Sequence, residues 1–95
     1  MAYTASKYAV IGLTKQLAAQ FGAHHLNINC VCPSQTKTEM LVAHVSQEKQ
    51  EALVAKNPMQ RLAEPKEIAE VIAFLASEKA SYVNGGVIDV NGGLL

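Results

Sequence analysis

Residues 26–33 read LNINCVCP. The run is short, partly alternating and rich in residues that suit a β-strand, and Pro33 stops it. Helical patterns lie on both sides, over residues 3–21 and residues 65–76, and a second strand is predicted over residues 87–90. Strands that are separated by helical crossovers predict a parallel sheet of the α/β class.

The helix predicted over residues 3–21 has apolar side chains at four-residue spacing, and further ones widen the stripe. They are Ala9, Leu13, Leu17 and Phe21, with Val10 and Ile11. A helix this apolar is expected to pack on more than one side. Gly22 follows it and suits the left-handed residue that ends many helices.

The helix predicted over residues 65–76 has the clearest pattern. Pro65 suits the first helical turn, and apolar residues then recur at positions 68, 71, 72 and 75. Two shorter helices are predicted over residues 39–44 and, with Ser46 as N-cap, up to residue 55.

Two strands are few for a parallel sheet, which is normally built from several strands and buried on both faces. The pattern therefore predicts one partial domain over residues 1–95, the C-terminal part of a doubly wound parallel-sheet fold of the Rossmann type. We expect the dinucleotide-binding half to lie outside these residues.

Composition excludes several classes of function. Eight basic and eight acidic residues give a formal net charge of zero, so no basic surface for nucleic acid is expected. No apolar run reaches the roughly 18 residues that span a bilayer, and the first residues lack a signal-peptide pattern. Cys30 and Cys32 would point to opposite faces of a strand, which suits a reducing compartment and no shared metal. We expect a cytoplasmic protein.

Tyr3 and Lys7 stand four residues apart, so they share one face of the first helix. An ammonium near a phenol favours the phenolate, which suits a tyrosine that exchanges protons with a carbonyl or alcohol oxygen. Taken alone, this pair is weak evidence for catalysis, and a tyrosine packed near a helix start with a solvated lysine is the favoured interpretation.

The wider pattern resembles the short-chain dehydrogenase/reductase family. The similarity runs through YTASK at residues 3–7, GLT at 12–14, INCVCP at 28–33, Pro58 with Arg61, EIA at 67–69, FLAS at 74–77 and DVNGG at 89–93. It covers nearly the whole chain, and the most similar members are 3-oxoacyl-carrier-protein reductases and their relatives.

This resemblance implies an oxidoreductase that transfers hydride between NAD or NADP and a carbonyl or alcohol substrate. Tyr3 would be the catalytic acid-base, and Lys7 would activate it and bind the ribose. Pro33, Thr36 and Thr38 would lie along the nicotinamide, with backbone at Thr36 and the hydroxyl of Thr38 as the contacts. Ordinary hydrogen bonds within the loop are the alternative for both threonines.

The family's glycine-rich phosphate turn, its catalytic serine and its relay asparagine do not occur in these 95 residues. Ser34 also stands where the family usually has glycine. The expectation is therefore a portion of a larger enzyme, inactive by itself and belonging to a homo-oligomer, either a dimer or a tetramer. The alternatives are a gene fragment without function, and an oligomerisation or regulatory module without activity of its own.

Overall fold

The computed structural model describes residues 2–94. It contains four helices and two strands in the predicted order: α1 (Ala2–Phe21), β1 (Cys30–Pro33), α2 (Glu39–His44), α3 (Gln47–Lys56), α4 (Pro65–Leu75) and β2 (Val87–Val90). Short 3-10 turns at Gly22–His24 and Glu78–Ala80 follow α1 and α4. The α/β prediction is confirmed.

Within residues 2–94, β1 and β2 form a two-stranded sheet. Cys30 N–H donates to the Gly86 carbonyl at 3.0 Å, and Ser34 N–H donates to the Val90 carbonyl at 3.2 Å. Because the partner number rises with the number on β1, the strands are parallel.

Two details of the prediction are wrong. The strand begins at Cys30 rather than at residue 26, because the Ile28 N–H is taken by the Asn84 side chain at 2.9 Å instead of by a neighbouring strand. The left-handed residue after α1 is His25, with φ 63°, because the 3-10 turn from Gly22 delays the end of the helical backbone.

The backbone contacts divide the chain into two compact units. The first unit comprises Met1–Val31 with Ala73–Ile88, and the second comprises Cys32–Ile72 with Asp89–Leu95. Among residues 2–94, no helix combines the length and the apolar character needed to cross a membrane.

The first unit has a small core of compact residues. Thr14 and Ala18 of α1 are buried, as is Ala80. A Cβ on Gly85 would lie 3.3 Å from the Ala18 Cβ, so only small residues allow this approach. The predicted stripe on α1 is buried only in part: Leu17 and Phe21 are half-buried, whereas Leu13 is 58% exposed and Val10 55% exposed.

Asparagine side chains join segments of the first unit that are distant in sequence. Asn84 accepts from Ile28 N–H at 2.9 Å and donates to the Ala18 carbonyl at 3.1 Å. Asn29 accepts from Gly86 N–H and donates to the Val83 carbonyl. These amides satisfy backbone groups that no strand or helix partner reaches.

In the second unit, Asn57 is buried and connects the end of α3 to the residues after β2. Its amide nitrogen donates to the Asn91 carbonyl at 3.0 Å, and its oxygen accepts from Met59 N–H at 2.8 Å. A buried amide with both ends bonded fixes local backbone geometry, since breaking either bond leaves a costly unsatisfied group.

Candidate active site

Tyr3 and Lys7 lie in the first two turns of α1, in the first unit. Their four-residue spacing within a continuous helix puts both side chains on the same face. Both residues are exposed, and Tyr3 retains 77% of its surface. The helix prediction for this pair is confirmed, while the acid-base and ribose-binding roles stay predictions.

Pro33, Thr36 and Thr38 lie in the second unit: Pro33 is the last residue of β1, and the two threonines lie between β1 and α2. Thr36 forms an isolated parallel bridge with Ala63. In this bridge Lys37 N–H donates to the Ala63 carbonyl at 2.8 Å, and Ala63 N–H donates to the Gln35 carbonyl at 3.3 Å. Because N–H groups alternate in direction along extended backbone, the Thr36 N–H points away from Ala63. The segment is more ordered than the polar loop that the sequence predicts.

The two threonine hydroxyls are used differently. Thr36 Oγ1 donates to the Ser34 carbonyl at 3.0 Å, which commits its single hydroxyl hydrogen. Thr38 is the N-cap of α2, and its Oγ1 accepts from Leu41 N–H at 3.2 Å. An accepting hydroxyl keeps its hydrogen, so Thr38 Oγ1 remains able to donate to a ligand oxygen.

A cavity of about 280 Å³ lies within the second unit, at the carboxyl ends of β1 and β2. Ser34, Asn57, Arg61, Glu67 and Asn91 are among the residues that line it. Ligands of open α/β sheets bind outside the carboxyl ends of the strands. Pro33, Thr36 and Thr38 flank Ser34 in sequence but do not line this cavity.

Arg61 and Glu67, which both line this cavity, form an ion pair. The two terminal guanidinium nitrogens, Nη1 and Nη2, donate to the carboxylate at 2.6 and 2.8 Å, and Glu64 N–H donates to the same carboxylate at 2.9 Å. The hydrogen bonds from Arg61, and then the one from Glu64 N–H, lower the pKa of Glu67 from 4.5 to about 2. Its carboxylate raises the pKa of the Arg61 guanidinium in turn.

Sequence reasoning does not anticipate this pair or the buried Asn57. Arg61 and Glu67 stand six residues apart with Pro65 between them, and six is not a helical contact spacing. The available signal is Glu67 in the first turn of α4, where a carboxylate faces unpaired N–H groups. For Asn57, the Asn-Pro sequence indicates a helix end but not a buried amide.

Known proteins resemble the chain over nearly its full length. A family model described as Enoyl-(Acyl carrier protein) reductase matches residues 1–95. An A-factor type gamma-butyrolactone 1'-reductase (1S-forming) of Streptomyces virginiae is 45% identical over 93 residues, covering 96% of this chain and 36% of that protein. A short-chain type dehydrogenase/reductase of Sinorhizobium fredii is 40% identical over 93 residues, covering 98% of this chain and 37% of that protein.

Among solved structures, a 3-oxoacyl-[acyl-carrier protein] reductase from Brucella melitensis is similar, with a TM-score of 0.91 and 42% identity. The match covers 97% of this chain and 34% of the Brucella chain, so the present chain spans about a third of the length of these relatives. The matched family model, the identities and the shared fold agree with one another. The chain belongs to the short-chain dehydrogenase/reductase family of oxidoreductases.

Proposed function

We propose that this chain contributes the acid-base residues of a cytoplasmic enzyme that transfers hydride between NAD or NADP and a carbonyl or alcohol substrate. Residues 1–95 would form the C-terminal, catalytic part of its Rossmann-type domain. The observation that supports this proposal most is the placement of Tyr3 and Lys7 on one face of α1, in a chain that matches the family throughout.

Tyr3 acts in this proposal as the proton donor and acceptor. Its hydroxyl gives a proton to the substrate oxygen when a carbonyl is reduced, and takes one from the alcohol in the reverse reaction. The exposure of Tyr3 supports this role, because 77% of the residue is open to a partner molecule. Lys7, one helical turn later, carries the positive charge that favours the phenolate.

The loop after β1 would hold the nicotinamide end of the cofactor, which supplies or takes up the hydride when bound. Two donors support this fit: the Thr36 N–H that points away from Ala63, and the hydroxyl hydrogen that Thr38 retains. Pro33 ends β1 and sets the course of this loop. No residue in the chain matches the position that selects NAD over NADP, so both stay candidates.

The 95 residues alone are expected to bind a nicotinamide cofactor weakly, because the glycine-rich turn that cradles its phosphates is not among them. The catalytic proposal therefore needs a full-length carrier. Where the DNA upstream of Met1 encodes an in-frame glycine-rich turn, the whole product is that carrier. Otherwise residues 1–95 are grafted onto the N-terminal part of the Brucella reductase.

In this carrier, Tyr3→Phe is expected to lower kcat by about 10²- to 10⁴-fold, since it removes the proton donor and keeps the ring. Tyr8→Phe is the matched control, because Tyr8 lies on the same helix and is 68% exposed. The measurement is cofactor oxidation at saturating carbonyl substrate. Near-normal turnover of Tyr3→Phe would show that the assignment is wrong.

The proposed partner, besides substrate and cofactor, is another copy of the protein in a dimer or tetramer. Large apolar side chains of α1 support this, since Tyr8, Val10 and Leu13 are more than half exposed. The same surface favours a second candidate function, a non-catalytic oligomerisation or regulatory module. Cofactor titration of the carrier, with sedimentation alongside, separates the two: a module self-associates without binding NAD or NADP.

A further inference from the structure

The chain contains two Asn-Gly sequences, Asn84-Gly85 and Asn91-Gly92, and the structure holds them in opposite ways. We infer that Asn91 is a site of spontaneous deamidation in the folded protein and that Asn84 is protected. Asn-Gly is the sequence at which the following backbone nitrogen most easily reaches the side-chain carbonyl carbon, because glycine has no side chain to obstruct the approach.

The reaction needs only water. The Gly92 nitrogen attacks Cγ of Asn91, forming an N–Cγ bond, and the Cγ–Nδ2 bond breaks with loss of ammonia. A backbone proton leaves with the ammonia, so the product is a neutral succinimide. Water then opens this ring at either carbonyl, which gives aspartate or isoaspartate at position 91.

The Asn91 side chain folds forward over its own following backbone. Its Oδ1 accepts from Gly93 N–H at 3.0 Å, and its Nδ2 donates to the Leu94 carbonyl at 2.8 Å. Both partners lie two or three residues ahead, so the side chain lies along the backbone segment that contains the attacking Gly92 nitrogen. Gly92 and Gly93 have φ of 64° and 91°, which glycine adopts without strain.

The Asn84 side chain turns the other way. Its Oδ1 accepts from Ile28 N–H and its Nδ2 donates to the Ala18 carbonyl, which are 56 and 66 residues away in sequence. The Gly85 N–H, the required nucleophile, donates to the Ile28 carbonyl at 2.8 Å. All three bonds must open before ring closure, although Asn84 is the more exposed of the two asparagines.

Conversion at Asn91 would change the contacts around it. A carboxylate cannot donate to the Leu94 carbonyl as the amide does. It also adds a negative charge to the cavity that Glu67 and Asp89 already line. In isoaspartate the chain runs through Cγ, and the Asn91 main-chain carbonyl that accepts from buried Asn57 becomes a free carboxylate, so this bond is disturbed too.

The test is incubation of the purified chain in mildly alkaline, ¹⁸O-labelled water, followed by digestion at acidic pH and mass spectrometry of both Asn-Gly peptides. The label marks conversions that occur after purification. In the folded chain we expect Asn91 to convert at least about tenfold faster than Asn84, since Asn84 reacts only after local opening. Amide exchange of Gly85 in the same sample should show the protection that its hydrogen bond predicts.

Two controls make the result decisive. In urea the rates at the two sites should converge, because the local sequence is Asn-Gly in both. Asn91→Gln should abolish conversion in its peptide and leave the rate at Asn84 unchanged. Equal rates in the folded chain, faster reaction at Asn84, an unprotected Gly85 amide, or no reaction at Asn91 while the urea sample converts would each overturn the inference.

Discussion

The guanidinium of Arg61 donates a hydrogen bond to each carboxylate oxygen of Glu67, from Nη1 to Oε1 at 2.6 Å and from Nη2 to Oε2 at 2.8 Å. Bidentate pairs of this kind fix orientation as well as charge. Here the pair ties the segment after α3 to the first turn of α4, beside the Glu64 N–H that the same carboxylate accepts.

Acid should weaken the Arg61–Glu67 ion pair in a defined range of pH. The folded pKa of Glu67 is about 2, below its ordinary value of 4.5. A carboxyl with a lowered folded pKa stabilises the fold fully above its unfolded pKa, and that contribution declines as pH falls toward the folded one. Unfolding followed by denaturant between pH 6 and about 2 should therefore show a steeper acid loss in the native protein than in Glu67→Gln.

Glu70→Gln is the matched control for this experiment. Glu70 pairs with Lys66 at 3.6 Å, and both side chains are mostly exposed, at 66% and 84%. Exposed pairs of this type contribute little to stability. If Glu70→Gln reduced the acid-dependent loss of stability as much as Glu67→Gln, the bidentate pair would not be the cause of that loss.

Lys7→Met should alter the pH profile of the proposed reaction. In the full-length carrier, loss of the ammonium removes a charge that favours the phenolate of Tyr3, so the rise of alcohol oxidation with pH should move upward by about one unit or more. Cofactor affinity should also fall, because the proposed ribose contacts are lost. Lys15→Met, eight residues further along α1, should change neither measurement.

Thr38→Val and Ser46→Ala separate helix capping from cofactor contact. Thr38 caps α2 through Leu41 N–H and Ser46 caps α3 through Lys49 N–H, each at 3.2 Å. Loss of either cap should lower the free energy of unfolding by about 0.5–2 kcal/mol. Only Thr38→Val should also raise the KM for the cofactor, whereas Thr38→Ser should keep a KM close to that of the native enzyme. An equal rise of KM in Ser46→Ala would contradict the cofactor role of Thr38.

Gly92→Ala and Gly12→Ala should shift stability in opposite directions. A Cβ on Gly92 would lie 2.5 Å from the Asn57 Oδ1, at a φ of +64°, so alanine there should cost about 1–3 kcal/mol. A Cβ on Gly12 meets nothing within 4 Å inside α1, and alanine there should stabilise by about 0.5–1 kcal/mol. Thermal denaturation of both variants checks the pair, and a neutral Gly92→Ala would contradict the described packing around Asn57.

Local sequence signals predicted most of the elements. α2 and β2 begin and end at the predicted residues, and Ser46 caps α3 as the sequence indicates. These features depend on capping, periodicity and turn residues within a few positions of each other. Tyr3 and Lys7 could be placed on one helical face for the same reason.

The remaining features depend on partners that are remote in sequence. The start of β1 is decided by Asn84, which lies 56 residues beyond Ile28. The burial of Ala18 on α1 depends on the glycine at position 85, because a Cβ there would lie 3.3 Å from the Ala18 Cβ. Short-range pattern carries no information on such contacts, because a side-chain amide has many possible partners.

The bond from Asn84 to the Ala18 carbonyl spans 66 residues, and this separation sets an order of events during synthesis. At roughly 5–20 residues per second, a ribosome needs on the order of 3–13 s to add the residues between these two ends. Through that interval α1 lacks both the hydrogen bond from the Asn84 amide and the close packing of Gly85 against Ala18. Within residues 2–94, helix α1 is therefore made well before the residues that hold its Ala18 end, and its exposed apolar side chains are accessible to chaperones during that interval.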